Sequence, residues 1–159
     1  MHVQEQEPER QPLLLALAFD DSPAGWAGLR FAIDLARPCG WSLTILHAAL
    51  ADVSTFDYGA RTRRKYEDAR AQASQLLARA QAQSGRGVRT TTEMLSGDPG
   101  IVVPQRAAEL GANILVVGSS RRGAVERILL GSVGEAIVRR ATSPVLIVPV
   151  PSESPTGEQ

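Results

Sequence analysis

The sequence predicts an α/β fold in which a five-stranded, doubly wound parallel sheet is covered by helices on both faces. Three observations carry this. Apolar runs of strand length alternate with stretches of helical period, the connections between them are mostly short, and the runs are apolar at consecutive positions rather than at every second one. Consecutive apolar residues suit strands buried on both sides. Strand–helix alternation implies right-handed crossovers, and with them a parallel sheet.

The elements follow in order. Leu13 to Phe19 reads as β1. Asp20-Asp21-Ser22-Pro23 then supplies capping side chains and a proline suited to a first helical turn, and Trp26, Leu29, Ile33 and Ala36 recur at helical spacing as α1, which stops near Pro38 and Gly40. Leu43 to Ala48 forms β2. From about Arg61 to Ser84, Tyr66, Ala69, Ala73, Leu76, Leu77 and Ala80 mark one face of a long α2, broken by Gly85-Arg86-Gly87. Val88 to Leu95, rich in threonine, is a weaker β3 suited to a sheet edge. Asp98-Pro99 opens α3, which runs to Leu110 and Gly111 with Pro104 expected to kink it. Ile114 to Val117 is β4. Ser132-Val133-Gly134-Glu135 has the form of a capping box, so α4 is expected from Val133 to about Ala141, and Val145 to Val148 is β5.

Five such strands have two common orders. Ligands bind outside the carboxyl ends of the strands where the order reverses. In 3-2-1-4-5 the loops after β1 and β4 share the crevice, with Asp20 and Gly118 beside it. In 2-1-3-4-5 the crevice lies between β1 and β3, and Asp98 gains interest.

Composition narrows the function classes. The 159 residues carry 17 Lys plus Arg against 17 Asp plus Glu, so net charge advertises neither a nucleic acid nor a membrane surface as partner. The single cysteine, Cys39, excludes an internal disulfide and fits a reducing compartment. No apolar stretch approaches a membrane span, and the start of the chain lacks the apolar core of a signal peptide. The expectation is a cytoplasmic protein with a disordered extension over 1–11, one domain over 12–150 and a disordered tail over 151–159.

Specific chemistries can then be tested against the residues. Gly118 and Gly123 have Walker A spacing, but Ala124-Val125 follows, and the chain's one lysine, Lys65, lies in α2. The turn after β1 lacks the G-x-G-x-x-G of dinucleotide binders. Asp20-Asp21 resembles the acidic pair of receiver domains, yet β5 ends in Val148-Pro149 without their lysine. Leu130-Gly131-Ser132-Val133-Gly134 misses the nucleophile elbow by one residue. His2, Cys39 and His47 are too scattered for a metal site. His47, at the end of β2, reads as a half-buried residue hydrogen-bonded to backbone. No catalytic machinery is evident. What remains is anion-binding chemistry between β4 and α4: Gly118 allows positive φ and close approach, Gly131-Ser132 offers amides and a hydroxyl at a helix start, and Arg121, Arg122 and Arg127 add charge.

Taken together, these segments resemble the universal stress protein family over nearly the whole folded part. Leu15 to Pro23 is similar to that family's first strand and its D-G-S turn, Leu43 to Ala48 to its second strand, and Gly97-Asp98-Pro99 to its G-D-P. Gly111 to Gly118 looks like its fourth strand. Arg127 to Val133, followed by Ser143 to Pro149, matches its most specific ending.

The resemblance implies a Rossmann-like sheet of order 3-2-1-4-5. ATP-binding members carry G-x2-G-x9-G-[ST]. Here Gly118 and Gly131-Ser132 keep the spacing, while Arg121 replaces the second glycine and Asp21 stands where many members have glycine. Carried over by position, Ala18, Phe19 and Asp20 line the base and ribose side, with Asp20 on the ribose hydroxyls and the Ala48 backbone on adenine. Val117, Gly118, Gly131, Ser132 and Val133 surround the ribose and phosphates, with Arg121 beside them. The implied function is adenine-nucleotide binding, with ATP and magnesium or manganese as ligand, in a regulatory or stress-response homodimer joined through Val145 to Val148 and not acting as an enzyme. Two alternatives stand beside it: a member that binds no nucleotide and works by dimerisation and partner docking, and a slow ATPase or self-phosphorylating protein using the same crevice.

Overall fold

A computed structural model describes residues 12–49, 60–120 and 130–151. The two terminal extensions and the three arginines Arg121, Arg122 and Arg127 lie outside the described residues, Pro151 excepted.

The elements are β1 (Leu14–Ala18), α1 (Pro23–Cys39), β2 (Ser42–Ala49), α2 (Ala60–Ser84), a short 3₁₀ turn (Gly85–Gly87), β3 (Arg89–Ser96), α3 (Pro99–Glu109), β4 (Ile114–Ser119), α4 (Ser132–Arg140) and β5 (Val145–Pro149). The sheet order is β3-β2-β1-β4-β5, and every neighbouring pair is parallel. Of the two orders open from residue patterns, it is the one the family resemblance implied.

Alternation along the strands builds the two layers. Leu15 and Leu17 of β1, Leu43 and Ile45 of β2 and Val116 of β4 pack with Leu29, Ile33, Leu76 and Leu77 beneath α1 and α2. Ala16, Leu46, Leu115 and Val117 point the other way, onto Val103 and Ala107 of α3 and Ile137 of α4. Both faces of β1 are therefore covered, which is why its sequence is an unbroken apolar run.

Several local expectations are refined. Pro38 sits inside the last turn of α1, and Gly40, at φ 64°, ends the helix by donating its N–H to Ala36 and Arg37 carbonyls. Helix α3 continues through Pro104, which is buried within it. The expected capping box on α4 is not formed: Gly131 is the N-cap, no side chain among the described residues caps it, and Ser132 is the first helical residue. The edge strand β3 is fastened from both layers. Gln81 donates to the Thr90 carbonyl at 3.0 Å, and Arg106 of α3 binds both Glu93 oxygens, at 2.6 and 3.1 Å.

Candidate functional site

Strand β1 pairs with β2 on one side and β4 on the other, and the chain leaves β1 and β4 toward opposite layers, so the loops beyond them part. The opening is a crevice of about 600 Å³, within the range of small-molecule sites. Of the residues expected to form a site, Ala18, Phe19, Asp20, Ala48, Val117, Gly118, Gly131 and Val133 all line it. Ser132 is exposed at the first turn of α4 and is not among its lining residues, and Arg121 lies outside the described residues.

The rim formed by α1 is closed by its own side chains. Asp20 Oδ1 accepts from the Ser22 N–H at 3.2 Å and from the Ser22 hydroxyl, and Ser22 Oγ accepts from the Gly25 N–H at 3.0 Å. This relay fills the helix N-terminus with a hydroxyl and a carboxylate, which its dipole favours. Gly118 serves one of the two uses its sequence suggests, a close approach. Its φ is not positive; instead, a Cβ there would overlap the carbonyl of Ala24, so glycine lets the start of α1 rest on the end of β4. Behind this rim Asp21 accepts from Trp26 Nε1 at 2.7 Å, and the Arg79 guanidinium lies 5.3 Å from the Trp26 ring centre.

At the opposite rim, α4, no side chain of the described residues caps the helix. Its first helical bond runs from the Glu135 N–H to the Gly131 carbonyl at 2.9 Å, which leaves the amides of Ser132, Val133 and Gly134 without acceptors inside the helix. A Cβ on Gly131 would meet none of the described residues within 4 Å. Val117, Val103, Ile137, Leu46 and Pro99 supply an apolar wall between the rims.

The end of β2 closes the third side. The Phe19 N–H donates to the Leu46 carbonyl at 2.9 Å, and His47 Nδ1 lies 2.9 Å from the Phe19 carbonyl. A carbonyl only accepts, so Nδ1 carries the hydrogen. His47 is thus half-buried and bonded to backbone, as expected, but it also lines the crevice.

Sequence reasoning missed Ser22, Ala24 and Gly25, which stand at a helix start, and Leu46, Val103 and Ile137, which are apolar positions of β2, α3 and α4. Apart from His47, Asp20 is the one ionisable side chain among the described lining residues. Among the described residues no group of three or more His, Cys, Asp or Glu could hold a metal ion, and no helix is long and apolar enough to cross a membrane.

Comparison with known proteins gives a consistent picture. The model of the universal stress protein family matches residues 15–149. A universal stress protein of Staphylococcus haemolyticus is 34% identical over 139 residues, covering 84% of this chain and 82% of the relative. Among solved structures, a universal stress protein family protein from Arabidopsis thaliana with AMP bound aligns with a TM-score of 0.67 at 21% identity, covering 91% of this chain and 97% of that one. The universal stress protein from Archaeoglobus fulgidus in complex with dAMP aligns with a TM-score of 0.63 at 20% identity, covering 87% and 98%. At these identities the structural likeness is one of fold.

Proposed function

The chain belongs to the universal stress protein family, and on that premise we propose that its β1/β4 crevice binds an adenine nucleotide, with ATP and its divalent cation as ligand, in a cytoplasmic regulatory or stress-response protein that is not an enzyme. The observation that carries this reading is the arrangement of the rims: the open amides of α4 stand on one side, and the Asp20 carboxylate and the end of β2 on the others. Helix N-terminal amides favour phosphate oxygens. A carboxylate accepts well from ribose hydroxyls, and the backbone of Ala48 offers a donor and an acceptor to the base. Gly131, Ser132 and Val133 then form the phosphate end, and Arg121 directly follows the lining residue Ser120 in the sequence. The nucleotides in the two solved neighbours support the same class of ligand.

The described residues provide no cage for a cation, so magnesium or manganese enters on the phosphates of the nucleotide. The outer edge of β5 is the second support. It has β4 on one side only, and Val145, Leu146 and Ile147 are half-buried, which suits pairing with β5 of a second copy.

The test is a pair of melting curves with and without ATP and magnesium, together with analysis of nucleotide released on denaturation. Ligand at a hundred times its dissociation constant adds about 2.7 kcal/mol. Neither a shift nor released nucleotide would overturn the binding reading. Sedimentation of the full chain checks the dimer.

A further inference from the structure

The ladder between β1 and β2 stops where the crevice begins, and a side chain takes the place of its next rung. The strands pair in register as far as Ala18 opposite Leu46, and the Leu46 carbonyl still accepts the Phe19 N–H. In a parallel ladder the following bond runs from the Ala48 N–H to the Phe19 carbonyl, because alternate residues of a strand turn both backbone groups to the same neighbour. That bond is not formed. The Phe19 carbonyl accepts from His47 Nδ1 at 2.9 Å instead. The Ala48 N–H and C=O are therefore left facing the β1 side outside the ladder, on a residue that lines the crevice.

We infer that His47 is a positioning residue for base recognition: by occupying the Phe19 carbonyl it keeps the backbone donor and acceptor of Ala48 open to the crevice. An adjacent donor and acceptor match the N1 acceptor and 6-amino donor of adenine. Hypoxanthine, with N1–H and a 6-oxo group, reverses both roles and leaves two polar groups opposed. The inference rests on the adenine-nucleotide reading of the site. Without a donor at residue 47, the Ala48 N–H turns to the Phe19 carbonyl, the ladder closes by one rung, and the base loses its donor.

Calorimetric titration of AMP and IMP into the wild-type chain, His47→Leu and His47→Asn tests this, with a ligand-free melting curve for each variant. The asparagine amide restores a donor close to the position of Nδ1. The wild type is expected to prefer AMP by about tenfold or more; His47→Leu should lose about tenfold for AMP with little change for IMP, and His47→Asn should keep most of the preference. Folded His47→Leu that keeps the wild-type AMP-to-IMP ratio, or His47→Asn that loses as much as leucine, overturns the inference while leaving nucleotide binding in place. A wild-type chain that binds neither nucleotide overturns the adenine reading itself. Should His47→Leu fail to fold, amide hydrogen exchange on the wild type decides: the Ala48 amide should exchange much faster than that of Leu46 and slow when AMP is added. Equal protection of the two amides in the free protein sinks the proposal.

Discussion

The N-termini of α1 and α4 border the same crevice but settle their free amides in opposite ways. At α1, Ser22 caps the helix, Asp20 holds Ser22, and Gly118 lets the whole turn sit against β4. At α4, a glycine stands at the cap position, and among the described residues no side chain takes the first amides. The difference supports the proposed placing of the phosphate at α4. A helix start already supplied with its own carboxylate repels a phosphate, whereas an unfilled one attracts it.

Four experiments bear on this contrast. Gly118→Ala should have the largest effect, since its Cβ would overlap the Ala24 carbonyl and force α1 away from the sheet; a loss of about 3 kcal/mol in urea unfolding is expected. A loss below about 1 kcal/mol would mean that the α1 rim is not rigidly seated. Ser22→Ala removes the cap and should cost about 1 kcal/mol by the same measurement. At the other rim, Gly131→Ser supplies the missing cap, so unfolding should show a gain of a few tenths of a kcal/mol. The same variant should bind AMP several-fold more weakly with adenosine unchanged, and equal weakening of both would move the phosphate away from α4. The smallest effect lies remote from both rims. Hydrogen bonds from Arg106, and then Gln105, hold the Glu109 carboxyl below its usual range. A depressed folded pKa contributes stability above the ordinary carboxylate value and loses it as pH falls through the folded one. The stability gap between wild type and Glu109→Gln should therefore be present at neutral pH and narrow as pH falls below the ordinary carboxylate value. Nucleotide affinity at neutral pH should not differ between the two.

The layers were legible because burial on both faces writes itself as uninterrupted apolar strands, as in Leu14 to Ala18 and Ile114 to Val117. The helix ends were less so. Ser132-Val133-Gly134-Glu135 carries the letters of a capping box, but letters do not say which residue starts the helix, and Gly131 takes the cap. Of the two reasons for Gly118, positive φ fails and close approach holds, but its partner, Ala24, is distant in sequence and adjacent only after the crossover. The apolar wall had no signature at all. Val103 and Ile137 look like any core residue and are buried like one, and only the parting of β1 from β4 sets them along the crevice. His47 was read correctly as bonded to backbone, yet which carbonyl it takes depends on the register of β1 with β2, which residue patterns do not encode.

The fastening of β3 bears on how large an assembly this sheet can make. One of its outward carbonyls is already spent on Gln81, and Arg106 grips Glu93 beside it, so the strand is a poor template for a further chain. Growth at sheet edges is then one-sided. Two copies meeting at β5 would leave a fastened β3 at each end of a ten-stranded sheet, and addition would terminate there as a closed pair instead of continuing as a fibre.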